Sequence, residues 1–135
     1  MSHKISEIKG LDPHVAAKMQ QAHINTVDDL VNQTQTSHQR TELANQLGVP
    51  PSQLTGWLNR ANLMRLKGVG TEMANLLEDS GVDSVKELQH RKADMLATKL
   101  KETNDAKHIT GHVPSHAQVQ TWIEEARILA AQLPA

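Results

Sequence analysis

The sequence predicts an all-α fold, made of two tandem units of about five helices each, at residues 1–62 and 63–135. The first observation behind this prediction is composition. The 135-residue chain has two Trp and neither Phe nor Tyr, so its core must consist of aliphatic side chains, which favours packed helices over aromatic-rich sheets. The second is that no segment alternates apolar and polar residues between turn signals, as a strand would.

The third observation is an internal repeat with an offset of 58 residues. Residues 5–30 align with residues 63–88 without a gap, and the apolar and small positions coincide. Further along, the segment around Trp57 aligns with the segment around Trp122, after an insertion in the second copy at about 101–115. The two copies are therefore expected to fold alike, with both Trp side chains and the aliphatic positions that the copies share in the core. These positions are Ile8, Ala16, Met19, Ile24, Leu30, Leu66, Ala74, Leu77, Val82 and Leu88.

The elements of the second copy follow from apolar spacing and end signals. Residues 63–67 are predicted to be helical and to stop at the turn Gly68-Val69-Gly70, because glycine tolerates the positive φ of a tight turn. Thr71 is expected to cap the next helix, and Gly81 to end it as a C′ glycine. The apolar face of that helix comprises Met73, Ala74, Leu76 and Leu77.

Three further helices complete the second copy. Ser84, with Glu87 three residues on, predicts a capped helix through residue 88. A fourth helix is predicted over residues 94–101, followed by a polar excursion to residue 115. Ser115 then caps the last helix. The predicted inward side chains of these last two helices are Met95, Leu96, Leu100, Val119, Trp122, Ile123, Ala126 and Leu129.

The first copy follows the same plan, with different residues at the helix starts. Pro13 suits the first turn of a helix, and Thr26 with Asp29 stands where Ser84 stands in the second copy. Pro50-Pro51 introduces the helix that carries Trp57. That helix is predicted to run on through residue 66 and to join the copies, giving about ten helical segments in all.

A long motif with fixed spacing occupies residues 66–88. It reads Leu66-Lys67-Gly68-Val69-Gly70-Thr71-x-x-Ala74-x-x-Leu77-x-x-x-Gly81-Val82-x-Ser84-Val85-x-x-Leu88. This motif resembles the helix-hairpin-helix motif of DNA repair and recombination proteins. Nearly the whole chain resembles a family of bacterial proteins that is built of two such units and classed as a domain of unknown function. The resemblance implies two helix-hairpin-helix-containing units and no established activity.

The second hairpin is the candidate functional site. The resemblance implies duplex binding without base reading, because a glycine hairpin turns backbone N–H groups and a helix N-terminus toward one phosphate. The site would comprise Arg65, Lys67, Gly68, Val69, Gly70 and Thr71, with Arg60 as a further candidate. The alternative is that these glycines only shape a tight turn.

The first hairpin is degenerate. It reads Gly10-Leu11-Asp12-Pro13, which places a carboxylate at the phosphate position and a residue without N–H beside it. A basic run in the second copy could extend a phosphate track, or could be a solvated helix face; it comprises Arg91, Lys92, Lys99 and Lys101.

Composition limits the functions that remain. The net charge is −1, which excludes a large basic surface, and the absence of Cys excludes disulfides, thiol nucleophiles and Cys-ligated zinc. His108, His112 and His116 recur every four residues, but Gly111 and Pro114 interrupt any helix between them. We therefore expect no metal, no cofactor, no small-molecule substrate and no catalytic residue.

The intact second hairpin slightly favours the first of two functional hypotheses, and the second is the alternative. One is weak, sequence-independent binding of duplex DNA through the second hairpin. The other is a protein–protein interaction adaptor that has lost nucleic-acid binding. No signal-peptide h-region and no apolar stretch long enough to span a bilayer is present in the sequence. The expected location is therefore the cytoplasm, without a membrane partner.

Overall fold

The fold is all-α, as the sequence predicts. The structure, a computed structural model, describes residues 3–133. Within that range a single 3-10 turn at Ile5–Glu7 precedes eight α-helices, slightly fewer segments than predicted, and no β-strand is present. The helices are α1 (Pro13–Gln21), α2 (Val27–Asn32), α3 (Ser37–Leu47), α4 (Pro51–Leu63), α5 (Thr71–Asp79), α6 (Val85–Leu88), α7 (Ala93–Lys107) and α8 (His116–Gln132).

The helices recur along the chain in the same order and with the same neighbours. Both ends of α5 lie 58 residues after the corresponding ends of α1, and α6 begins 58 residues after α2. In the first half α2 and α3 both pack on α4, and α1 packs on α3. In the second half α6 and α7 both pack on α8, and α5 packs on α7. Contacts between α4 and α6 join the halves.

One continuous hydrophobic cluster runs through both halves. Trp57 and Trp122 belong to it, with only 5% and 1% of their surfaces exposed. Ala16, which was predicted to be buried, is only partly buried and packs against the edge of the cluster. The other aliphatic positions predicted for the core are buried: Ile8, Met19, Ile24, Leu30, Leu66, Ala74, Leu77, Val82 and Leu88.

The predicted caps Thr26, Ser84 and Ser115 open their helices. Thr26 and Asp29 form a reciprocal capping box at the start of α2, with both backbone-to-side-chain distances at 3.1 Å. Ser84 accepts a hydrogen bond from the backbone N–H of Glu87 at 3.1 Å. The carboxylate of Glu87 forms an ion pair with Arg91 at 3.0 Å, so Ser84 caps the helix without a reciprocal bond from Glu87.

The connection between α4 and α5 differs from the prediction. The α-helix ends at Leu63 rather than at residue 66, because the chain tightens there into i→i+3 bonds such as Leu66 N–H to the Leu63 carbonyl at 3.2 Å. The N-cap of α5 is Gly70, and Thr71 is the first helical residue, so Thr71 is not a cap. Its hydroxyl instead donates to the backbone carbonyl of Glu7.

Helix α7 is longer than predicted. It continues past residue 101 to Lys107, so the polar excursion is confined to residues 108–115. The extension is stabilised because Asn104 is buried, and its side-chain amide bonds both the N–H and the carbonyl of Thr110 at 2.9 Å. The prediction that Met95 points inward is wrong: its side chain is 66% exposed, because Leu96 and Leu100 occupy the inward face.

A search of the helices within residues 3–133 finds none that is long and apolar enough to cross a membrane.

Candidate functional site

The second hairpin is a tight turn that is hydrogen-bonded to α8. Gly68 adopts a positive φ of 87°, which favours glycine, and the N–H of Val69 donates to the Leu66 carbonyl at 3.1 Å. The indole N–H of Trp122 donates to the Lys67 carbonyl at 2.8 Å. The Val69 side chain is fully buried. The Val69 N–H is therefore hydrogen-bonded within the turn.

Lys67 and Gly68 form the exposed tip of the hairpin. The backbone N–H of Lys67 points to a carboxylate oxygen of Glu125 on α8, at 3.4 Å. The ammonium group of Lys67 makes no ion pair within residues 3–133. The tip thus combines one free cation with a carboxylate against its backbone.

The start of α5 is in contact with the N-terminal segment of the chain. The Thr71 hydroxyl donates to the backbone carbonyl of Glu7 at 3.0 Å. A Cβ at Gly70 would lie 3.4 Å from the imidazole Cε1 of His3, so the glycine leaves room for a close approach. Two of the six predicted site residues therefore contact the first half of the chain.

Arg65 also reaches the first half. Its Nε lies 3.2 Å from a carboxylate oxygen of Asp28 on α2, and a second guanidinium nitrogen donates to the Asn62 side chain at 3.1 Å. About a quarter of the Arg65 side chain is exposed. Its charge is therefore already paired, which the local sequence around the hairpin could not indicate.

A cleft of about 480 Å³ lies beside these groups. Its lining includes Arg65, Lys67, Asp28 and His3. Glu125 adds a second carboxylate against the hairpin backbone. Positive and negative charges are therefore balanced at the predicted phosphate position.

Arg60, the further candidate, is a buried anchor inside the hairpin. Its guanidinium lies 2.6 Å from Glu78 of α5, and it also donates to the Thr71 carbonyl at 3.3 Å and to the Asn75 side chain. Only 5% of the residue is exposed. Burial lowers the pKa of Arg60 from its ordinary value, although the Glu78 carboxylate opposes that shift. It positions α5 and has no surface for a phosphate.

The first hairpin has the same turn, but the helix that follows it has a side-chain N-cap. Gly10 has a φ of 82°, and the N–H of Leu11 donates to the Ile8 carbonyl at 3.2 Å, as Val69 does to Leu66. The Asp12 carboxylate accepts from the His14 N–H at 2.7 Å and so caps α1. By contrast, α5 has no side-chain cap.

The basic run, which begins just before α7 and continues along it, is interrupted by ion pairs. Arg91 pairs with Glu87 at 3.0 Å, and Lys101 pairs with Asp105 at 3.0 Å. Lys92 and Lys99 are exposed without an ion pair in the described part of the chain. Half of the run is thus neutralised locally, which is typical of a solvated helix face.

The three histidines at 108, 112 and 116 lie on different elements. His108 ends α7 with a positive φ of 52°, His112 lies in the loop, and His116 begins α8. Within residues 3–133 no group of three or more His, Cys, Asp or Glu residues is arranged to hold a metal ion.

Comparison with known protein families matches residues 9–129 to the family described as Domain of unknown function (DUF4332), and the chain belongs to that family. Comparisons with curated proteins and with solved structures gave no match.

Proposed function

We propose that the protein is a non-catalytic protein-interaction module, built of two helix-hairpin-helix units, in which the second hairpin joins the units. One observation carries the proposal. At three of the six predicted phosphate-binding residues, another part of the chain already supplies the partner. Thr71 pairs with Glu7 and Arg65 pairs with Asp28, both in the first unit. The backbone N–H of Lys67 pairs with Glu125 within the second unit.

Electrostatics supports this assignment. A phosphate at the hairpin would lie beside the carboxylates of Glu125 and Asp28. Like charges about 4 Å apart near a protein surface repel by roughly 4 kcal/mol before screening. The chain has a net charge of −1, so it offers no general positive field to offset this repulsion.

The exposed apolar side chains support a protein partner. Met95 on α7 and Ile128 on α8 are the large apolar side chains that residues 3–133 leave most exposed, at 66% and 61%. Protein interfaces centre on apolar side chains, whereas interfaces with duplex DNA are strongly basic. These two helices are therefore the first place to look for partner contacts.

Weak duplex binding through the second hairpin is a second candidate function. It is favoured by the free ammonium group of Lys67 and by the N-terminus of α5, which has no side-chain cap. Such binding would use few phosphates and would not read bases, because phosphate contacts carry no sequence information.

A duplex titration separates the two candidates. The parent protein, Lys67→Glu and the matched control Lys9→Glu are titrated at low salt against a short labelled duplex. The interaction-module proposal predicts no binding by any of the three. Binding by the parent that Lys67→Glu abolishes and Lys9→Glu retains would overturn it in favour of the second candidate. The salt slope would then correspond to roughly two to four phosphates.

A further inference from the structure

A second cleft, of about 260 Å³, lies between the two halves, and none of the six hairpin residues lines it. Helix α4 forms one wall with a polar stripe, Thr55, Asn59 and Asn62, at helical spacing. The end of α2 and the start of α3 form the second wall, and α6 forms the third. Val31 and Leu58 give the cleft an apolar floor, and both are buried.

The backbone acceptors at the end of α2 are already occupied. The Thr34 hydroxyl donates to the Leu30 carbonyl at 2.7 Å, and the Gln35 amide donates to the Val31 carbonyl at 2.7 Å. The Arg40 guanidinium donates to the Thr34 carbonyl at 3.3 Å. These bonds leave the α2 wall with few free acceptors.

Asn62 is satisfied at both ends of its amide. It donates to the Leu58 carbonyl at 3.1 Å and accepts from Arg65 at 3.1 Å. The Thr55 hydroxyl donates to the Pro51 carbonyl at 3.0 Å. The polar stripe of α4 therefore offers one unengaged side chain, Asn59, to a ligand.

The unengaged groups that remain in the cleft are mainly donors, and two of them are charged. Lys86 makes no ion pair or hydrogen bond within residues 3–133. Arg40 uses one guanidinium nitrogen, so its other N–H groups are available. No Asp or Glu lines the cleft. A site with surplus N–H donors, two cations and no carboxylate favours an anionic acceptor.

We propose that this cleft binds a small organic anion, whose carboxylate or phosphate contacts Arg40, Lys86 and Asn59 and whose apolar part lies on Val31 and Leu58. The volume is below the roughly 300–1,000 Å³ of drug-sized sites, so the ligand is compact. The proposal uses none of the six hairpin residues and stands independently of the interaction-module proposal.

Calorimetric titration of the full chain tests this site. The probes are methyl phosphate and butyrate, which carry the two candidate oxyanions on a short apolar group, with sodium chloride at the same ionic strength as the reference. Lys86→Gln and Arg40→Gln are compared with Lys9→Gln, an exposed lysine outside the cleft. Thermal unfolding without probe verifies that each variant is folded.

The expected result is saturable binding of at least one probe. Removing either cleft cation should weaken it by roughly ten- to a hundredfold, as the loss of one charge-assisted hydrogen bond does. Lys9→Gln should bind like the parent. Preference for one probe identifies the ligand as a phosphate ester or as a carboxylate. Failure of both probes to bind, or equal weakening by all three variants, would overturn the proposal.

Discussion

The guanidinium of Arg60 links α4 to three groups of α5. It contacts the Glu78 carboxylate, the Asn75 side chain and the Thr71 carbonyl, and only 5% of Arg60 is exposed. Arginine suits this role because its planar fork presents several donors at fixed angles, which lysine lacks. The start of α5 is therefore held from within the core.

We expect Arg60→Lys to lower the free energy of unfolding by about 1–3 kcal/mol, because a lysine at this buried position lacks the fork that reaches all three groups of α5. The measurement is urea denaturation followed by circular dichroism. The matched control is Arg127→Lys on the exposed surface of α8, which should change stability by no more than about 0.5 kcal/mol. Equal stability of the two variants would show that the buried fork does not anchor α5.

At the scale of elements, the capping box of α2 makes stability depend on pH. The Asp29 carboxylate accepts hydrogen bonds from the backbone N–H groups of Asn25 and Thr26, at 3.0 and 3.1 Å. These bonds lower the pKa of Asp29 below its ordinary value. Its contribution is therefore complete above the unfolded-state pKa of about 4 and is lost as pH falls through the folded-state value.

Asp29→Asn should accordingly destabilise the protein at neutral pH, and the difference from the parent should shrink as the pH drops below about 4. Thermal unfolding of both proteins over a pH series measures this difference. Asp83→Asn is the control, because Asp83 is exposed and makes no hydrogen bond or ion pair within residues 3–133. A difference that stays constant down to pH 2 would contradict the assignment.

The contact between α5 and the N-terminal segment gives a second prediction at this scale. Thr71→Val removes the hydroxyl that donates to the Glu7 carbonyl, and we expect a loss of about 0.5–1.5 kcal/mol. Amide hydrogen exchange should also accelerate at Ile5, whose N–H bonds the Asn25 carbonyl beside this contact.

Thr98→Val is the matched control for that contact. Thr98 donates to the Asp94 carbonyl at 3.0 Å within α7, so it loses the same kind of bond without affecting the N-terminal segment. If exchange at Ile5 is the same in both variants, the second hairpin does not hold the N-terminal segment.

Local signals predicted most of the elements. Ser and Thr caps marked the starts of α2, α6 and α8, because capping depends on residues within one turn. The end of α7 was not predictable in this way. It depends on the side-chain bonds of Asn104 to Thr110 and on burial against the rest of the molecule, which spacing does not reveal.

At the scale of the whole molecule, the candidate site shows what sequence reasoning misses. The hairpin turn, its glycines and the exposure of Lys67 follow from residues 66–71. Its carboxylate neighbours do not, because Asp28 and Glu125 lie in distant helices that only packing brings to the hairpin. The cleft between the halves could not be predicted for the same reason, since its two cations, Arg40 and Lys86, come from α3 and α6.

The two halves are joined by several kinds of contact. The hydrophobic cluster is continuous, α4 packs on α6, and polar bonds at the second hairpin reach the first half through Arg65 and Thr71. A hairpin that takes part in this junction has fewer groups free for an external phosphate. We therefore infer that the second hairpin serves the junction between the halves.

Amide chemical shifts of the second hairpin test this inference. A short DNA duplex is added at low salt to labelled protein, and the N–H signals of Gly68, Gly70 and Thr71 are followed, with Gly10 of the first hairpin as the internal reference. If the hairpin serves the junction, we expect that none of these signals shifts beyond the small change that all exposed amides show. Saturable shifts confined to Gly68, Gly70 and Thr71, and abolished by Lys67→Glu, would contradict it.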